Sequence, residues 1–270
     1  MQPRTVPRIL TCLAAGFLLG LLLVPVSATA VESANPAQPP VNGEQDTASP
    51  AASTPDPVPL TPLRASYSAS FDKGISLSGS ATRTLSARND GTWFYEFQVT
   101  SFLADINESL VLRWENGQVI PLTYRYDLSG FFVPTRKRAL DFDWDEGVVT
   151  GYFRDKKVRI ELKEGALDPL GFQLQLHQDI KAGKTEMHYS VIDRNGYDED
   201  RFAIIGEEQL ETASGRIRTV KAEKVRDAGS KRETLMWFAP DQAYLLMRLV
   251  QLEPDGTRYE INIDDAEIRR

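Results

Sequence analysis

From Leu63 onward polar and apolar residues alternate. Ala65, Tyr67, Ala69 and Phe71 interleave with Arg64, Ser66, Ser68 and Ser70, the period-two signature of a strand with one face in a core and one in water. After Asp72-Lys73-Gly74 the pattern resumes in ISLSGSATRTLSAR. It continues through TWFYEFQVTSFLADI, SLVLRW, VIPLTYRYDL, RALDFDW, VVTGYF and KVRIEL, then through TEMHYSVI, FAIIGEEQL, RTVKAEKV, ETLMWF, YLLMRLVQL and TRYEINI. The breaks carry Asn89-Asp90-Gly91, Glu115-Asn116-Gly117, Asp145-Glu146-Gly147, Asn195-Gly196, Ser214-Gly215 and Pro254-Asp255-Gly256. These turns supply the left-handed residue that a tight reversal needs. A dozen short strands with close turns predict antiparallel hairpins in a meander, and no βαβ spacing points to a parallel sheet.

One stretch breaks the pattern. In GALDPLGFQLQLHQDIKAG, residues 165–183, Asp168 can cap a helix, Pro169 suits its first turn and Gly183 can end it. Leu and Gln dominate between them, with no β-branched residue before Ile180. Phe172, Leu174 and Leu176 also alternate with Gln173, Gln175 and His177, as a half-buried strand would; the capping residues favour the helix. On a helical wheel Leu167, Leu170 and Leu174 share one side, and Phe172, Leu176 and Ile180 another. A helix apolar on two sides must lie against a sheet with something else over it. The strand count exceeds what one flat sheet carries. The expected fold is mainly β: a strongly curved antiparallel sheet or open β-barrel with one helix, about 168–182, packed on it. Within the run 233–238, Trp237 and Phe238 point to opposite faces, and Pro240 stops the ladder.

Residues ahead of this domain change its setting. Arg4 and Arg8, the apolar run from Ile9 to Val26 and the small residues Ala28-Thr29-Ala30 read as a secretory signal peptide over 1–30, with a retained transmembrane anchor as the alternative that the cleavage pattern disfavours. Residues 31–62 hold eight of the sixteen prolines, with Ala, Ser and Thr, and read as a disordered linker. Residues 63–270 then form a single β domain. The lone cysteine, Cys12, lies in the signal, so the exported chain has no thiol and no disulfide to rely on. All 38 acidic residues lie beyond the signal, and losing Arg4 and Arg8 moves the net charge from −7 to −9. That balance argues against nucleic acid or anionic lipid as the main ligand.

Catalytic and metal motifs are weak. Asp141-Phe142-Asp143-Trp144-Asp145-Glu146-Gly147 places Glu146 sixth and Tyr152 twelfth, where a calcium loop needs Gly and Glu. The acidic stretch from Asp193 to Asp200 has its glycine out of register too. His177 and His188 lack metal spacing, and Gly74-Ile75-Ser76-Leu77-Ser78-Gly79 is no nucleophile elbow. Carboxylates among Asp141, Asp143, Glu161, Asp193 and Asp198, with tryptophans as sugar platforms, leave a glycan-binding or glycan-cleaving alternative.

Three stretches carry a likeness to a known family. They are Asp168-Pro169-Leu170 opening a helix to Gly183-Lys184; Gly206-Glu207-Glu208 with Thr212-Ala213-Ser214-Gly215; and Leu235-Met236-Trp237-Phe238-Ala239-Pro240-Asp241 followed by Leu245-Leu246-Met247-Arg248-Leu249. With the small-residue strands near Gly74 and Gly79, residues 63–268 resemble the exported bacterial domain-of-unknown-function family numbered 3108. Tyr244-Leu245-Leu246 and Gly171 depart from the family's usual residues. The resemblance implies an antiparallel, barrel-like sheet with little helix, and no known active site comes with it. The outline is similar to the periplasmic lipoprotein carriers, whose half-open barrel shelters acyl chains, a likeness of architecture alone.

The expectation is an exported, periplasmic, non-enzymatic protein with no cofactor, metal or catalytic residue. It would bind an apolar or amphipathic small molecule or an envelope protein, with no nucleic acid and no stable membrane span after signal cleavage. The ligand-binding candidates are Leu170, Phe172, Leu174, Leu176 and Trp237.

Overall fold

The computed structural model describes residues 58–268 except 74, 75, 103, 132, 195, 213, 214 and 228. The signal segment, and the linker up to residue 57, lie outside the described residues. The linker's last residues are docked: Leu60 is buried in the core, and the Trp114 indole N–H donates to the Val58 carbonyl.

The first eight strands are β1 (Leu63–Asp72), β2 (Ser76–Ala87), β3 (Trp93–Ser101), β4 (Asp105–Glu115), β5 (Gln118–Ser129), β6 (Arg136–Asp143), β7 (Val148–Phe153) and β8 (Lys156–Glu161). Helix α1 (Gly171–Lys181) follows. Six more strands are β9 (Glu186–Asp193), β10 (Gly196–Thr212), β11 (Gly215–Lys224), β12 (Glu233–Ala239), β13 (Leu245–Leu252) and β14 (Arg258–Ile268). They make one antiparallel sheet in the order β8-β7-β6-β5-β4-β3-β2-β1-β14-β13-β12-β11-β10-β9. Two meanders are thus joined where β1 pairs with β14, and the sheet ends at β8 on one side and β9 on the other. The mainly β, open and curved architecture expected from the period is the one observed.

Curvature has local causes. Register shifts fall at Ser66/Tyr67, Val111/Leu112, Ile204/Gly206 and Trp237/Phe238, and each bulge bends its strand and tightens the twist. In β7 a side chain at Gly151 would meet the Ala139 carbonyl oxygen at 1.9 Å, so only glycine lets β6 and β7 approach this closely.

Helix α1 connects β8 to β9 and is buried on nearly every side. Its apolar residues join the main core, and its polar ones are bonded. Gln175 accepts from the Val119 N–H and donates to the Gly117 carbonyl and Asp179, while Tyr189 donates to Asp179. The helix begins two residues later than its sequence suggests, because Asp168 caps it from outside: Oδ1 accepts from the Leu170 and Gly171 N–H groups, both at 2.9 Å. It ends in a Schellman motif, with Gly183 at φ +85° and the Lys184 N–H on the Asp179 carbonyl. Phe238 stacks on His177 of the helix, ring centroids 6.5 Å apart. The next strand, β13, is central and buried at most positions, as its near-continuous apolar run predicts.

Candidate functional site

A single row of inward-facing residues crosses six strands. Arg83 lies opposite Phe97, Phe97 opposite Glu108, Glu108 opposite Tyr126, Tyr126 opposite Arg138, and Arg138 opposite Phe153. Cations and aromatic rings therefore alternate around one acid. Arg83 lies 5.1 Å from the Phe97 ring centroid, and Arg138 lies 5.8 Å from that of Tyr126 and 4.9 Å from that of Phe153. Such contacts hold guanidinium groups well inside a protein because the ring faces are partly negative.

The start of α1 completes the cluster. Asp168 is fully buried, with Oδ2 facing Gly171, where an added Cβ would come within 2.6 Å of that oxygen. Arg83 donates to the Gln173 side chain of the helix at 2.8 Å, and the Tyr124 hydroxyl donates to Glu108 Oε1. Four atoms of this cluster are buried with no hydrogen-bond partner among the described residues: Glu108 Oε2, Asp168 Oδ2, Arg83 Nε and Arg138 Nε.

Electrostatics follow from depth. Burial lifts the Glu108 carboxyl to about 7, against the opposing pull of Tyr124 and the arginines. Burial likewise lifts Asp168 to about 6, although two backbone N–H groups favour its charged form. Burial works against the Arg138 cation, but Tyr124, Asp193 and Glu108 outweigh it and raise its pKa. Glu108 thus changes charge close to neutral pH beside a lasting cation.

Arg138 also reaches across the gap between the sheet's two ends, pairing with Asp193 of β9. Two further links close this seam. The Tyr197 hydroxyl accepts from the Lys163 N–H and donates to the Glu161 carbonyl, both at 2.9 Å. Leu167 forms a parallel bridge with Val191.

Of the sequence candidates, Leu170, Phe172, Leu174 and Leu176 are brought together and fully buried; Phe172 stacks on Phe202 at 5.9 Å. Trp237 is not with them. It lies on the face of β12 opposite Phe238, its ring between Lys221 and Arg248 and its N–H on Glu208. Of the acids suggested for glycan chemistry, Asp141 pairs with Arg125, Asp143 and Glu161 are exposed, and Asp193 is taken by Arg138. Only Asp198 stays near another of them, its pKa raised by burial and then by the Asp193 charge. The Trp114 and Trp144 N–H groups are spent on the backbone carbonyls of Val58 and Pro121. Burial lowers His177 to about 4 and its Nε2 bonds the Ala243 carbonyl, so it is a neutral structural residue. No group of three or more metal-ligating side chains occurs among the described residues.

Sequence reasoning missed Arg83, Glu108 and Arg138. The signal was there: each has the parity of apolar neighbours, Ala81 and Leu85, Ile106 and Leu110, Leu140 and Phe142. A charge on the core parity of a strand marks a buried charge.

The model of the family described as "Protein of unknown function (DUF3108)" matches residues 75–263. The chain belongs to this family. Among solved structures it is similar to a beta-barrel-like protein of the DUF1849 family from Brucella abortus, at 12% identity and a TM-score of 0.52. That match covers 78% of this chain and 99% of the other, and it shows the DUF3108 chain sharing a fold. A DUF1329 family protein from Desulfovibrio piger is also matched, at 12% identity, 77% and 85% coverage and a TM-score of 0.23. Among curated proteins none matches.

Proposed function

We propose that this is an exported, periplasmic, non-enzymatic domain that binds an amphipathic envelope ligand on the inner face of its sheet. The observation carrying this reading is the buried row with its unpartnered polar atoms at the helix start. Burying charges costs several kcal/mol each, on the order that a well-packed apolar core would avoid altogether. Arg83, Glu108, Arg138 and Asp168 are therefore poor stabilisers and good candidates for a polar head-group site. Beside them Val99, Ile106 and Leu128 form the next inward row, an apolar surface of the kind an acyl chain requires. In this reading α1 occupies the inner face until a ligand displaces its first turn, and the seam between β8 and β9 is the way in. Indole N–H groups spent on Val58, Pro121 and Glu208, and an Asp193 already paired with Arg138, give the glycan alternative less support.

The test uses delipidated protein and a fluorescent fatty acid, alongside mass spectrometry of lipid that co-purifies from cells. Saturable binding that weakens in Arg83→Met supports the proposal. No affinity for the acyl probe together with no co-purifying lipid would refute it.

A further inference from the structure

Hairpin tips at the two ends of the first meander differ in character. Register puts the β1–β2, β3–β4, β5–β6 and β7–β8 turns at one end, since Asp72 pairs with Ser76, Thr100 with Asp105, Leu128 with Arg136 and Phe153 with Lys156. Asp105 pairs in turn with Ser129, so the β3–β4 and β5–β6 tips are neighbours, about 10 Å apart at the usual strand spacing. Each presents a phenylalanine to solvent: Phe102 is 87% exposed and Phe131 is 89% exposed. They are the two most exposed large apolar residues among those described.

The charge around them opposes that of the whole chain. This end carries Lys73, Arg136, Lys137, Arg154, Lys156 and Lys157, against Asp72, Asp105, Asp127 and Asp155. Lys73 is paired to Asp255 of the adjoining β13–β14 turn and Lys137 to Asp127, so the unopposed charge is concentrated at the β7–β8 tip. The opposite end of the same strands carries Asp90, Glu115, Asp143, Asp145 and Glu146, against Arg88 and Arg113. A net acidic protein has thus placed a basic, phenylalanine-tipped end at one pole of this meander. Apolar tips ringed by Lys and Arg match the boundary of an anionic bilayer, where rings sit at head-group level and cations meet phosphate.

We propose that this end docks on an anionic phospholipid surface, with Phe102 and Phe131 entering the interface and the β7–β8 tip supplying the charge. Average composition argues against a lipid partner; the local distribution reverses that at one place. Glu108 of the inner row lies six residues from Phe102 along the hairpin, so a docked molecule holds its interior close to the bilayer. The docking does not depend on what that interior binds.

The chain from Val31 onward, which keeps every described element, is sedimented with vesicles of phosphatidylethanolamine and phosphatidylglycerol, and with vesicles of phosphatidylcholine. Binding is expected on the anionic vesicles, weakening with salt. Phe102→Ser with Phe131→Ser should lower partitioning by about tenfold or more, and Lys156→Gln with Lys157→Gln by about fivefold for each charge removed. Asp143→Asn, at the other end, should not weaken it. All positions are exposed, so folding measured by circular dichroism should be unchanged. No association with anionic vesicles, equal binding to phosphatidylcholine, or unaltered binding by the double Phe variant would each overturn the proposal. An acyl probe that fails to bind the interior would leave the vesicle result standing.

Discussion

Arg138 of β6 and Asp193 of β9 form an ion pair whose side chains are 8% and 1% exposed, joining strands that lie eleven places apart in the sheet order. The pair adds a buried side-chain link to a seam that the backbone crosses only at the Leu167–Val191 bridge among the described residues. Removing one partner strands a buried charge, so Arg138→Met should destabilise by about 3–5 kcal/mol in urea unfolding. Arg138→Met with Asp193→Leu should recover much of that loss. A double variant as unstable as the sum of the singles would deny the coupling.

Stability should fall as pH rises through the range set by Glu108. Its carboxyl holds a proton more tightly folded than unfolded, about 7 against 4.5. The folded state therefore binds more protons between those values, and stability present below the lower one is lost on the way to the upper. Asp168, raised to about 6, contributes with the same sign. Glu108→Gln should flatten the decline between pH 4.5 and 7 relative to the parent. Identical slopes for the two proteins in thermal or denaturant unfolding would contradict this.

The helix start offers a coupled test. Asp168→Ala removes the acceptor for two N–H groups and should cost about 1–2 kcal/mol. Gly171→Ala drives a methyl group toward Asp168 Oδ2, 2.6 Å away, and Leu110 Cδ2, 3.2 Å away, and should cost about 1–3 kcal/mol. In the Asp168→Ala background that clash is largely gone, so the glycine substitution should cost clearly less. Strict additivity in a double-mutant cycle would count against the contact.

At the end of β12, Phe238→Ala should cost about 3–5 kcal/mol, because the ring is buried against the helix. Asp241→Ala removes only an exposed partner of Arg218 at 3.5 Å and should change stability by about 0.5 kcal/mol or less. A large loss from Asp241→Ala in chemical denaturation would mean the junction does more than end a strand.

Much of this was legible because burial follows parity. The alternation in β1, the all-apolar run of β13 and the capped helix each state their environment locally. Where the reading fell short, the information was not local. The run from Trp93 to Ile106 reads as one strand because Phe102-Leu103-Ala104 lacks turn residues; Ser101 makes the reversal instead, its Oγ donating to the Ala104 carbonyl and accepting the Ala104 N–H. Arg83, Glu108 and Arg138 look like isolated charges in separate strands, and only the register of six strands aligns them. Trp237 was grouped with the helix by its apolar character, but alternation along β12 turns it to the other face.

The joint between the meanders sets an order on assembly. Every other strand pair is a hairpin or neighbour along the chain, but β1 pairs with β14, and the Ser66 hydroxyl bonds a carbonyl 199 residues away at Asp265. Local pairings form before long loops close. As the polypeptide is made from its N-terminus, β1 remains a bare edge until β14 arrives. Throughout that interval the protein presents a free strand to any other chain nearby, including unfinished copies of itself. Strand β14 is also its safeguard against aggregation.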